Sequence, residues 1–71
     1  MDTANLNQPT PTDAKQRARV VFHDGRRYNT GTLTYWPGAA SSRPATVVGD
    51  NGRRHHPHPD RVWLAPPLDH P

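Results

Sequence analysis

Cysteine, glutamate and isoleucine are all missing from this 71-residue chain. Without cysteine there is no disulfide and no thiolate metal site, which excludes a small disulfide-braced secreted scaffold. Catalysis has little to draw on. No Cys or Glu is present, and the one serine pair, Ser41-Ser42, sits in a Gly/Ala-rich stretch with no base beside it. A chain this short also encloses no sizeable pocket, so the expectation is a protein that is not an enzyme and needs no cofactor. Large aliphatic and Phe side chains are scarce. Leu, Val and Phe supply ten of the 71 residues, about 14% and under the ~20% at which disorder competes with folding. No apolar run exceeds four residues. That pattern argues against a transmembrane span or a secretory signal, and the expected setting is soluble and cytoplasmic, with no membrane partner.

What is abundant is arginine, with eight Arg against one Lys. GC-rich coding alone produces such a bias, as in many bacteria and their phages. The distribution says more than the number. All nine cationic side chains lie between Lys15 and Arg61, against only Asp24, Asp50 and Asp60 in that window, a surplus of +6. Such a body is a plausible electrostatic footprint for nucleic acid. A merely solvated basic surface has the same composition.

Two stretches nearly repeat. His23-Asp24-Gly25-Arg26-Arg27 and Asp50-Asn51-Gly52-Arg53-Arg54 each place an Asx-Gly dipeptide before an Arg pair. Asp-Gly and Asn-Gly favour tight hairpin turns in which both central residues take positive φ. Each reversal therefore carries two guanidinium groups, which bind phosphate or carboxylate through paired N–H donors.

Around these turns the chain reads as short strands. Residues 19–23 form the first, with Ala18, Val20 and Phe22 on one face. Residues 28–36 form the second, in which Gly31 marks a bulge or bend. Beyond it, Leu33 and Tyr35 share one face and Thr32, Thr34 and Trp36 the other. Residues 46–49, 53–56 and 62–65 complete five strands, with a tight turn at Pro59-Asp60-Arg61 before the last. Residues 1–16 read as a disordered arm, with at most a helical turn over 12–17 capped by Thr12. Residues 17–66 are the domain, and 67–71 an extended Pro-rich tail.

The pattern of Arg19-Val20-Val21-Phe22, Gly31-Thr32-Leu33, Val47-Val48-Gly49-Asp50-Asn51-Gly52 and Asp60-Arg61-Val62-Trp63-Leu64 resembles the small five-stranded β-barrel of the Src-homology type. Within that group it looks most like Tudor and KOW modules. The resemblance covers about residues 18–66. It implies an all-β barrel that binds DNA, RNA, methylated peptides or other proteins, a range too wide to fix a function.

The candidate anion-binding set is Arg26, Arg27, Arg43, Arg53 and Arg54, expected to converge on one surface. Tyr28 and Trp36 are expected to add exposed rings that stack on bases. Tyr35 and Trp63 read as core filling. His56 and His58, two apart on an extended chain, reach one face, and a third ligand from elsewhere, His23 or Asp60, would complete a metal site with them. The same imidazoles also serve without metal, adding positive charge on mild acidification. The partner is expected to be nucleic acid, or else an acidic or proline-rich protein segment, since phosphate and carboxylate ask for the same donors. A core this small suits a monomer or weak homodimer, with Trp36 or Trp63 as the seam.

Overall fold

The computed structural model describes residues 7–65. A five-residue helix α1 (Pro11–Lys15) leads into β1 (Arg19–His23), β2 (Tyr28–Tyr35), β3 (Thr46–Gly49) and β4 (Arg54–His55). A 3-10 turn (Pro59–Arg61) then delivers β5 (Val62–Leu64). All five strands join one antiparallel sheet in the order β4-β3-β2-β1-β5. The all-β architecture expected from the sequence is present, and so is the turn before the last strand. Barrel closure is not. β4 and β5 remain the two edges of the sheet. The sheet nevertheless curls far enough that the rings of Phe22 on β1 and His55 on β4 meet at 4.9 Å between centroids.

The expected disorder of residues 1–16 is corrected for the part that the structure describes; residues 1–6 and the tail 67–71 lie outside the described residues. Thr10, not Thr12, caps α1. Its Oγ1 accepts from the Asp13 amide at 3.3 Å, and the Asp13 carboxylate accepts from the Thr10 amide at 2.8 Å. This reciprocal box, with Pro11 at the first helical position, supplies the acidic partner that a Thr12 cap lacks. Arg17, at φ 53°, ends the helix in the left-handed conformation. The segment before the helix is tied down as well. Asn7 O accepts from the Leu64 amide at 2.7 Å, the Gln8 side chain donates to Pro59 O at 3.1 Å, and Pro9 is buried. Polar composition concealed this order because the bonds are to backbone.

Val20, Phe22, Leu33, Trp36, Ala45, Val47 and Val62 form the core, with Ala14 and Leu64 packed against it. Trp36 was expected at the surface and is only 6% exposed, whereas Tyr35 is 45% exposed. One irregularity causes the exchange. Leu33 pairs with Val47, but the next partners are Tyr35 and Thr46, so β2 carries an extra residue there. A one-residue insertion turns every following side chain to the opposite face. Trp36 therefore rotates inward and Tyr35 outward, and the homodimer seam proposed at Trp36 is lost to the core.

Gly31 lies outside that bulge. It sits in regular register opposite Val20 and Gly49. A Cβ on Gly31 would stand 2.5 Å from Val48 O and 2.9 Å from Val47 Cγ1. Glycine is needed there for close approach of two strands.

Candidate functional site

Partners in an antiparallel ladder share a face, so the register sorts the outer surface. Trp63, Val21 and Thr30 form one row across β5, β1 and β2. Arg19, Thr32, Val48 and Arg54 form another across β1 to β4. His23 and Tyr28 pair at the end next to the first turn. This face is turned away from the core, yet it is ordered by its own contacts.

Three rings run along it. His23 meets Tyr28 edge-on at 4.9 Å between centroids, and Tyr28 meets Trp63 at 5.9 Å with a 54° tilt. Offset and edge contacts at these separations are the favourable aromatic geometries. Val21 lies among them and is 1% exposed although it points away from the core. A shallow depression of about 260 Å³ follows, lined by Val21, Tyr28, Asn29 and Thr30. Tyr28 remains 45% exposed, so its ring is open to a ligand.

Beside the rings lies an ionic tie. Arg19 donates to Asp50 through both terminal nitrogens, at 2.5 and 2.9 Å, and the Thr30 hydroxyl donates to the same carboxylate. The Arg19 guanidinium, with Thr30, holds the Asp50 carboxyl down at about 2. A bidentate pair of this kind is geometrically specific. It fixes the β3–β4 turn to β1 and β2 and leaves no net charge on that part of the face.

The candidate arginines do not converge as a set of five. β2 measures their separation. The first turn closes on Tyr28, the second opens at Gly49 opposite Gly31, and the loop that carries Arg43 begins after Tyr35. At ~3.3 Å per residue these stations are about 10 and 13 Å apart along the strand. Arg26, Arg27 and Arg53 are exposed on the two turns, and Arg54 is exposed at the start of β4. Arg43 is exposed too, but lies on the loop beyond the far end of β2, where its amide donates to Ser41 Oγ at 3.0 Å. Of the two candidate rings, Tyr28 is on the outer face and Trp36 is in the core. Trp63 takes the place expected of Trp36; its spacing of one position from Val62 already put it on the face opposite the core.

The histidines gather in a different place. His23, His55, His56 and His58, with Phe22, Asp24, Pro57 and Arg61, line a cleft of about 250 Å³ at the open seam between β1 and β4. Among the described residues no three His, Asp or Glu side chains are close enough together to hold a metal ion, so His23, His56 and His58 share a cleft without forming a ligand set.

No family model, curated protein or solved structure matches the chain. Among the described residues no helix is long and apolar enough to cross a membrane. The fold and the surface together define a small all-β protein with an aromatic and arginine-bearing outer sheet face.

Proposed function

We propose that this protein is a non-enzymatic binder of single-stranded nucleic acid, acting as an accessory or regulatory factor. Bases stack on Tyr28 and Trp63, and phosphates are held by Arg54 on the same face and by Arg26, Arg27 and Arg53 on the adjoining turns. The observation that carries this reading is the half-exposed Tyr28 ring, packed against both Trp63 and His23 on a face bordered by arginine. Stacked bases tolerate any sequence because each offers a π-face, and stacking contributes ~1–3 kcal/mol per base. A duplex hides those π-faces, which is why the platform favours a single strand.

The test is binding of unstructured DNA and RNA oligonucleotides over a range of salt. Tyr28→Ala should weaken binding by about tenfold to a hundredfold, the factor that corresponds to one lost stack. Arg53→Ala with Arg54→Ala should lower the slope of log K against log salt by roughly one to two units, at ~0.7 per phosphate contact on a single strand. Tyr28 is exposed, so unchanged thermal stability separates lost binding from lost fold. If neither variant alters affinity, or if oligonucleotides do not bind at low salt, the arginine turns serve an acidic protein partner instead.

A further inference from the structure

The histidine-lined cleft adjoins the aromatic platform, sharing His23 with it, and has its own chemistry. Its walls come from two parts of the chain. The end of β1 and the first turn supply Phe22, His23 and Asp24; β4 and the connection to β5 supply His55, His56, Pro57, His58 and Arg61. Phe22 is fully buried and forms the floor, with the His55 ring tilted against it. At about 250 Å³ the cleft is smaller than the ~300 Å³ at which sites for drug-sized ligands begin. It suits a compact charged group.

The donors are partly preset. The Gly25 amide donates to His23 Nδ1 at 3.0 Å, so a neutral His23 ring carries its proton on Nε2. His58 Nδ1 lies 2.8 Å from Asp60 Oδ1 and 3.3 Å from the Asp60 amide nitrogen. His56 Nδ1 lies 3.4 Å from the Thr46 hydroxyl. Arg61 is exposed and has no carboxylate partner among the described residues.

Charge decides when such a site holds an anion. The fixed charges are the Arg61 guanidinium, the Asp24 carboxylate in the lining with the Arg27 guanidinium acting on it, and the Asp60 carboxylate on His58. With all imidazoles neutral, two cations and two anions balance. Each imidazolium adds one positive charge to that balance. Asp24 does not change it further by taking up a proton. The Arg27 and Arg26 amides and the Asn29 side chain hold its carboxyl at about 2.

We propose that this cleft is a proton-gated site for a phosphate-class anion, empty when its imidazoles are neutral and occupied when they are charged. The phosphate comes either from the end of a nucleic acid strand or from a free phosphate ester. The proposal rests on the cleft alone and survives failure of the stacking platform.

Sulfate is the probe, because its charge does not change over the working range. Imidazole resonances are followed by NMR at about pH 5.5 and about pH 8, on either side of the range in which histidine titrates, with ionic strength held by chloride. Sulfate should shift the rings of His23, His55, His56 and His58 at the lower pH and bind about tenfold or more weakly at the higher, the factor expected when charge-assisted hydrogen bonds become neutral ones. Arg61→Ala and His56→Gln, both at exposed positions, should each weaken binding about tenfold at the lower pH, while Arg43→Ala, on the distant loop, leaves it unchanged. The proposal is overturned if sulfate moves these rings no more than chloride does, if affinity is the same at both pH values, or if neither cleft variant matters. Oligonucleotides with a 5′-phosphate and a 5′-hydroxyl then assign the source. A preference for the phosphorylated strand that disappears in Arg61→Ala supports a nucleic acid end; equal binding of both, with inorganic phosphate retained, supports a free ester.

Discussion

The two turns look alike in sequence and hold themselves differently. In the first, Asp24 serves its own loop. Its Oδ1 accepts from the Arg26 and Arg27 amides at 2.8 and 3.0 Å, and its Oδ2 from the Asn29 side chain at 2.9 Å. In the second, Asn51 takes over that local task, accepting from the Arg53 amide at 3.0 Å. Asp50 is thereby released to bind Arg19 and Thr30 on neighbouring strands. One additional Asx residue converts a self-contained turn into a tie across β1, β2 and β3. A repeated motif does not guarantee a repeated role.

The largest expected effect comes from the strand beneath the second turn. Gly31→Ala would press a Cβ against Val48 O and force β3 away from β2. A loss of about 1–3 kcal/mol in unfolding free energy is expected, typical of overpacking. Amide exchange should accelerate from Gly49 to Arg54 and stay unchanged from His23 to Tyr28. Equal acceleration at both turns would show that the second is no more anchored than the first.

Next come the turn glycines. Gly25 and Gly52 have φ of 97° and 84°, and a Cβ on either meets nothing within 4 Å. Only backbone conformation opposes a side chain there, so Gly25→Ala and Gly52→Ala should each cost about 1–2 kcal/mol in chemical denaturation. A clear inequality would mean that the tie at Asp50 changes what its turn tolerates.

Acid separates the turns more finely. Both Asp24 and Asp50 are held at about 2, below the ~3.9 of an unfolded aspartate. A depressed carboxyl stabilises the fold in full above the unfolded value, and that contribution fades as pH falls from there through about 2. Arg19→Ala should raise the Asp50 midpoint and leave Asp24 where it is, read by carboxyl-carbon NMR titration. If Asp24 moves as well, the first turn is not self-contained.

The smallest effect belongs to the arginines themselves. Arg26→Ala with Arg27→Ala, and Arg53→Ala with Arg54→Ala, should each change stability by no more than ~0.5 kcal/mol. Thermal melts would check this. A larger loss in the second pair would place Arg54, in register with Val48, within the sheet's own support.

Strand existence was legible because short runs rich in Val and aromatic residues around Val20, Phe22, Val47 and Val62 are punctuated by turn residues. The boundaries of β1 and β3 agree with the reading residue for residue. The bulge after Leu33 was not legible, since no glycine or proline marks it, and with it went the placement of Trp36 and Tyr35. Positive φ at both central residues was expected in the turns, yet among the described non-glycine residues only Arg17 has it. Asx side chains accepting loop amides make that unnecessary. The cleft brings His23 to residues 55–58 across more than thirty positions, a neighbourhood that only the curl of the sheet creates.

The edges of the sheet carry a consequence for how molecules meet at high concentration. An unpaired strand edge is a template on which another chain can add, and long flat edges seed fibrils. Here β4 offers two residues, and prolines 57 and 59 follow it closely. β5 offers three, and the Leu64 amide is already engaged by Asn7 O. The short stretch before α1 thus occupies a position on the β5 edge at which another strand would otherwise add, and the prolines shorten what the β4 edge offers.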